Sequence, residues 1–183
     1  METHKERMRS YLCDSLRELM GRNLFEKITI KQICDRAGVI RATFYNYFDD
    51  KYDCLDRIVY LDFSAILDDA ENEKPEILLL RLMELFETHA EFYRRAFTVT
   101  GQNNFEDMLR KNLALFLCRY LDANRRPDRL ERYSNEYLSR YYAEGAAFHI
   151  REFLFQKEGT VTAEDTAKTM LDLMDTSLSA ILR

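Results

Sequence analysis

The chain is expected to be all-α: an N-terminal helix-turn-helix head of three helices, followed by a C-terminal helical bundle body. Three observations predict this. Only five glycines and two prolines punctuate 183 residues, which leaves room for long uninterrupted helices. Apolar residues recur at spacings of three and four along most of the chain, the period of a helix with one buried face. Runs of alternating β-branched and polar residues, the mark of a strand, are missing. The length suits one or two domains with a sizeable core.

The head is read first. A helix over residues 5–20 turns Met8, Leu12, Leu16 and Leu19 inward, with Gly21 near its end, and Leu24, Phe25 and Ile28 close over it. Thr29 is an N-cap, and Gln32 three residues on can reach back to it. Ile30, Ile33, Cys34 and Ala37 then share one face. Gly38 follows at once and can take the left-handed conformation that ends a helix. Val39 plugs the turn. The next helix begins at Ile40 or Arg41, runs to Phe48, and buries Phe44 and Phe48. Asp50 is another N-cap, with Lys51 and Asp53 in the first turn. A longer helix over residues 51–70 carries Leu55, Ile58, Val59, Phe63, Ile66 and Leu67 inward. It joins head to body, so its tilt can carry a signal.

In the body, Pro75 suits a first helical position. Residues 76–95 are apolar on nearly every side, as in a helix at the middle of a bundle. Residues 101–104 break the pattern and 105–121 resume it. Residues 124–128 form a basic, proline-containing loop. A long helix over 129–155 has two stripes, one through Tyr133, Tyr137, Tyr141 and Phe148, the other through Leu138, Tyr142, Ala146 and Phe153. Gly159 stops it. Thr162, with Asp165 three residues on, caps a last helix whose stripe runs through Ala167, Met170, Leu171, Met174, Leu178, Ile181 and Leu182. These last two helices suit either a dimer-forming four-helix bundle or a core within one chain.

The glycine-turn pair over residues 29–48 carries the chemistry. Two short helices joined this way make a helix-turn-helix, whose second helix lies in the major groove of DNA with its N-terminal residues at the base edges. Those residues are Arg41, Ala42 and Thr43. Arginine can pair two donors with guanine, and alanine or threonine can touch a thymine methyl. Tyr45, Asn46 and Tyr47 carry groups suited to phosphate, and Lys51 sits at a helix start, where backbone N–H groups also favour phosphate. The plainer alternative is a helical pair that never meets DNA, with Tyr45 and Tyr47 as half-buried aromatics. From residue 27 to 48 there are four basic side chains (Lys27, Lys31, Arg36 and Arg41) against one acid, Asp35. Asp49 and Asp50 follow, and only Asp50 has a capping role to explain it.

The net charge of −5 opposes DNA binding until it is divided. Residues 1–60 hold 11 basic and 10 acidic side chains, and the remainder hold 16 and 22. A near-neutral head on an acidic body needs two copies and low to moderate salt to bind a polyanion.

Residues 28–55, I-T-I-K-Q-I-C-D-R-A-G-V-I-R-A-T-F-Y-N-Y-F-D-D-K-Y-D-C-L, resemble the N-terminal domain of TetR-family transcriptional regulators. A-G-V, T-F-Y-N-Y-F and Lys51 stand at that family's intervals. The resemblance covers about the first third of the chain. It implies a DNA-binding domain over residues 1–50 and a ligand-binding and dimerisation domain over 51–183. It implies a homodimer on a palindromic double-stranded operator, usually a repressor released by a small-molecule effector. By motif position it places DNA contacts on Thr29, Lys31, Arg41, Ala42, Thr43, Tyr45, Asn46, Tyr47 and Lys51. Ile40 stands where the family has a capping serine or threonine. The Y-N-Y-F-D-D-K-Y variant, with the segment over residues 141–154, resembles a branch that includes activators of dihydroxyacetone kinase operons. An adaptor acting mainly through a protein partner is the alternative function.

Other classes find little support. No glycine-rich phosphate loop, G-x-S-x-G motif or paired-carboxylate signature is present, so neither an enzyme nor a cofactor is expected. Cys13, Cys34, Cys54 and Cys118 are widely spaced, as reduced core residues are. His4, His89 and His149 lack metal-ligand spacing. The N-terminus has no signal-peptide core and no run approaches a membrane span, so a cytoplasmic protein without a membrane partner is expected. Aromatic and polar residues over 89–97, with Phe116, Tyr120, Tyr137, Tyr141 and His149, suit an effector pocket or a core equally, and none is singled out as a ligand contact.

Overall fold

The computed structural model describes residues 4–70, 72–126, 131–157 and 159–176. Among the described residues the elements are nine α-helices and a 3-10 turn, with no strand. The helices are α1 (His4–Met20), α2 (Ile30–Ala37), α3 (Arg41–Tyr45), α4 (Lys51–Ala70), α5 (Pro75–Thr88), α6 (Ala90–Ala96), α7 (Phe105–Asn124), α8 (Asn135–Phe155) and α9 (Ala163–Asp175); the turn is Phe25–Lys27. The all-α expectation holds. The chain divides into two compact units, Met1–Leu61 with Glu91–Met108, and Asp62–Ala90 with Leu109–Arg183.

In the first unit α1 packs on α2 and α2 on α3. Leu12, Leu16, Phe25, Ile28, Ile33 and Phe44 are fully buried among them. Each such side chain contributes roughly 1.5–3 kcal/mol by leaving water. Leu24 does not join them. It enters the 3-10 turn in an extended conformation and stays exposed, so Phe25 and Ile28 alone close over α1. Residues 91–108 add Phe92, Tyr93 and Phe105 to this unit, with the Tyr93 and Phe105 rings 6.1 Å apart. The Arg17 guanidinium lies 4.7 Å from the centre of the Phe92 ring.

Three boundaries differ from expectation. The helix expected over 76–95 is two helices, broken at His89, whose backbone (φ −111°, ψ 28°) leaves the helical region while its N–H still bonds the Leu85 carbonyl at 3.0 Å. No glycine or proline marks that break. The long helix expected from residue 129 starts at Asn135, because the Ser134 hydroxyl caps it by accepting from Tyr137 N–H. Helix α3 ends at Tyr45 rather than Phe48; the N–H groups of Tyr47 and Phe48 both turn onto the Phe44 carbonyl, at 2.9 and 3.0 Å. Phe44 and Phe48 are buried all the same.

In the second unit α5 packs on α8 and α9, and α8 on α9. Small residues allow the close approach: Ala143, Ala146 and Ala147 on α8, and Ala163 and Ala167 on α9, are buried. Phe63 meets Phe86 at 6.1 Å and Phe116 at 5.5 Å. The expected cap of α9 is a full capping box between Thr162 and Asp165. Of the two stripes foreseen on α8, Leu138 and Ala146 lie inside, whereas Tyr137, Tyr141 and Phe148 are exposed. Pro127 and Asp128 of the expected loop, and Leu178, Ile181 and Leu182 of the last stripe, lie outside the described residues.

Candidate nucleic-acid interface

Local sequence builds the helix pair. The Thr29 hydroxyl accepts from Gln32 N–H at 3.2 Å, and the Gln32 side chain accepts from Thr29 N–H at 2.8 Å, so two early donors of α2 are satisfied reciprocally. Gly38 ends α2 in the left-handed region (φ 70°, ψ 31°), and its N–H returns to the Cys34 carbonyl. Ile33, Cys34 and Phe44 lock α2 and α3 from behind. The start of α3 has no such help: Ile40 is its N-cap in extended conformation and offers no side-chain bond. Arg41 and Ala42, the first helical residues, are exposed, and no acid stands in that turn.

The nine expected contact residues all fall in the first unit. Thr29 and Lys31 are exposed on the first turn of α2, and Thr29 is engaged in its capping box. Arg41, Ala42, Tyr45 and Asn46 are exposed on or just after α3, while Thr43 and Tyr47 are half-buried. The Tyr45 ring stands edge-on to Phe44 at 5.7 Å. Arginine and alanine at a helix start, with hydroxyl and amide groups one turn later, match what base edges and flanking phosphates accept.

Lys51 has a second occupation. Its ammonium donates to the carbonyls of Phe25 (2.8 Å), Ile28 (3.0 Å) and Glu26 (3.3 Å), and lies 4.5 Å from the centre of the Phe25 ring. An ammonium has three donors, so this clasp on the 3-10 turn occupies all of them. Burial pushes the Lys51 pKa below its ordinary value, against the opposing pull of Glu26 and Asp50. A phosphate contact from this ammonium must compete with the clasp. Beside it, Asp50 caps α4 as expected, accepting from Tyr52 N–H at 2.8 Å and Asp53 N–H at 2.9 Å. Asp53 reaches back to Asp49 N–H at 3.1 Å, which gives the Asp49 backbone a role.

Two of the head's cations are held by acids that were not read from the sequence as their partners. Lys31 Nζ lies 2.9 Å from Asp35, one turn on, with both side chains well exposed. Arg36 pairs with Glu18 and ties α2 to α1. The first pair was legible in its i, i+4 spacing; the second joins helices 18 residues apart and was not. Arg41 forms no ion pair among the described residues. Burial, aided by Asp35, pushes the Cys34 thiol up, and Arg41 pulls against both.

The aromatics weighed for an effector pocket are divided between core and surface, with Phe97 and Tyr120 half-buried. Phe92, Tyr93 and Phe116 are buried in their own units, and Tyr137 and Tyr141 are exposed. Half-buried His149 lines a groove of about 600 Å³ beside α8 and α9 with Tyr142, Met170 and Met174. Burial holds its pKa below the ordinary histidine value, against the charge of Glu152. No helix is long and apolar enough to cross a membrane, and no cluster of three or more His, Cys, Asp or Glu side chains is placed to hold a metal, among the described residues.

Two family models match. One, described as bacterial regulatory proteins of the tetR family, covers residues 12–58, which hold the helix pair and the start of α4. The other, described as a transcriptional regulator C-terminal region, covers residues 73–176. The chain belongs to the TetR family. It is a TetR-family transcriptional regulator that carries the family's helix-turn-helix head. A curated relative, the HTH-type dhaKLM operon transcriptional activator DhaS of Lactococcus lactis subsp. lactis (strain IL1403), is 29% identical over 99 residues, 52% of this chain and 50% of the relative. That match thus spans half the relative's length. Solved structures share the TetR fold along nearly the whole chain. A dihydroxyacetone kinase operon activator DhaS superposes with TM-score 0.66 at 22% identity, over 91% of this chain and 93% of that one. FadR of Thermus thermophilus in complex with lauroyl-CoA gives 0.67 at 18%, over 96% and 95%. RolR in complex with resorcinol gives 0.60 at 20%, over 97% and 91%.

Proposed function

We propose that this TetR-family chain is a cytoplasmic homodimer that binds a palindromic double-stranded operator and answers to a small-molecule effector as a repressor. The observation that carries the reading is the exposed, acid-free start of α3, Arg41 and Ala42, held from behind by buried Ile33, Cys34 and Phe44. In this reading residues 1–50 bind DNA through Thr29, Lys31, Arg41, Ala42, Thr43, Tyr45, Asn46, Tyr47 and Lys51, and residues 51–183 bind ligand and dimerise. Exposed Tyr137, Tyr141 and Phe148 on α8, with Leu173 on α9, support a second copy as the partner of that face. The complexes of FadR with lauroyl-CoA and of RolR with resorcinol support a small organic effector.

One observation favours a second reading. The curated relative is named an activator, which supports positive control of an operon, or an adaptor acting mainly through a protein partner. Selection of bound DNA from a random pool tests the proposal. Recovery of a palindrome with half-sites about 34–36 Å apart, or a multiple of that, supports it. Recovery of no sequence, with a protein partner captured instead, favours the adaptor. The effect of the recovered operator on a reporter decides between repressor and activator.

A further inference from the structure

We infer that Ile40 reads DNA sequence by packing its side chain against the C5-methyl group of a thymine in each half-site. The inference rests on α3 being the recognition helix and names a specificity residue that this reading leaves out. Ile40 does nothing for the fold that a polar residue would not do better. It occupies the N-cap of α3 in extended conformation (φ −86°, ψ 158°), where serine, threonine, aspartate and asparagine are preferred because their side chains accept an orphan N–H. Isoleucine has no acceptor, and Thr43 N–H bonds only the Ile40 backbone carbonyl, at 3.0 Å. Nor does it pack: at 72% exposure it is the most exposed large apolar side chain among the described residues. The half-buried side chain of the turn is its neighbour Val39.

A branched hydrocarbon at this place has one kind of base partner. In the major groove the base edges present donors, acceptors and a single apolar group, the thymine methyl. A hydrocarbon donates no hydrogen bond, so it cannot serve a phosphate as a capping hydroxyl or an amide would. Its β-branching limits χ1 freedom, so little side-chain entropy is lost on contact. The next residues are exposed Arg41, with donors for guanine, and exposed Ala42, whose methyl extends the apolar patch. The geometry therefore points to a thymine within a base pair or two of the guanine that Arg41 would read.

The test uses the full chain and the sequence recovered from a random pool, with each thymine of the half-site replaced in turn by deoxyuridine, which removes only the methyl. At one position near the Arg41-dependent base pair, wild type is expected to lose about fourfold in affinity per half-site, the worth of one methyl's burial. Ile40→Ser is expected to bind thymine and uracil forms equally. That variant supplies a cap, so a melting temperature at or above wild type shows that folding is not the cause. The inference is overturned if no replacement matters to wild type, as packing on deoxyribose would give, or if Ile40→Ser and Ile40→Ala keep the full thymine preference. An operator that responds to Arg41→Ala but not to Ile40 substitution removes this inference alone. Recovery of no operator removes the recognition-helix reading with it.

Discussion

Lys51 at the start of α4 holds the carbonyl oxygen of Phe25 at 2.8 Å, and its other two protons go to Glu26 and Ile28. A residue placed by motif on a phosphate is thus also the clasp that seats the 3-10 turn on the head. Lys51→Met is expected to lower the unfolding free energy by about 1–3 kcal/mol, because the part-buried carbonyls of Phe25 and Ile28 lose their charged donor. Lys51→Arg is not expected to restore it, since a planar fork does not converge on three carbonyls as an ammonium does. Urea denaturation measures both. A Lys51→Met midpoint equal to wild type would mean that the clasp contributes nothing.

Arg41 and Lys31 are expected to behave differently on DNA. Arg41→Ala should cost about 1–3 kcal/mol on the preferred operator and relax preference at one base pair. Lys31→Ala should weaken all sequences alike and reduce the salt slope by about 1. Affinity measured on operator variants across a salt series separates the two. If Arg41→Ala keeps the wild-type sequence preference, α3 is not the reading helix.

The Lys31–Asp35 pair sets a further expectation. Both side chains are more than half exposed, so Asp35→Asn should change stability by less than about 0.5 kcal/mol. It also frees Lys31 and removes a negative charge facing phosphate. Operator affinity should rise about two- to tenfold at low salt, mostly through faster association, and the gain should fade as salt screens it. Weaker binding by Asp35→Asn would show that the carboxylate orients Lys31 rather than competing for it.

Gly38 allows a purely conformational test. A Cβ there meets nothing within 4 Å, yet the backbone sits at φ +70°. Gly38→Ala should therefore cost about 1–2 kcal/mol, with Gly38→Asn costing less because asparagine tolerates the left-handed region. Equal unfolding midpoints for glycine and alanine would mean that the turn relaxes to another conformation.

What was legible in the sequence was local. The Thr29–Gln32 and Thr162–Asp165 boxes and the Asp50 cap follow from side chains that bond backbone two or three residues away, the Gly38 stop follows from a backbone that can turn left-handed, and each stands where spacing placed it. What was not legible depends on residues far apart in sequence. Nothing around Lys51 foretells that its ammonium turns onto carbonyls 23 to 26 residues earlier. The break at His89 has no glycine or proline signal, and residues 91–108 fall in the first unit, where the Arg17 guanidinium lies over the Phe92 ring, a contact that periodicity does not encode. The contact residues at the start of α3 were visible as types, but the ion pairs that tune the charge around them were only partly so. An i, i+4 pair such as Lys31–Asp35 is local, whereas Arg36–Glu18 is tertiary.

Asp165 gives the pH dependence. Hydrogen bonds from the Thr162 hydroxyl, first, and the Thr162 backbone N–H hold its carboxyl below the ordinary aspartate value. A carboxylate depressed in the folded state stabilises above its unfolded pKa, about 3.9, and loses that contribution as pH falls through the folded value. The gap in melting temperature between wild type and Asp165→Ala should therefore stay constant above about pH 5 and narrow on acidification below about pH 4. Using the gap removes the acid sensitivity that all other carboxylates share. The hydroxyl partner predicts a companion result: Thr162→Val should lower the melting temperature and flatten the same pH profile, because Asp165 then keeps only the backbone donor. A gap that persists unchanged into acid would show that Asp165 acts by helix propensity or packing, and that the box at the start of α9 is not held by its charge.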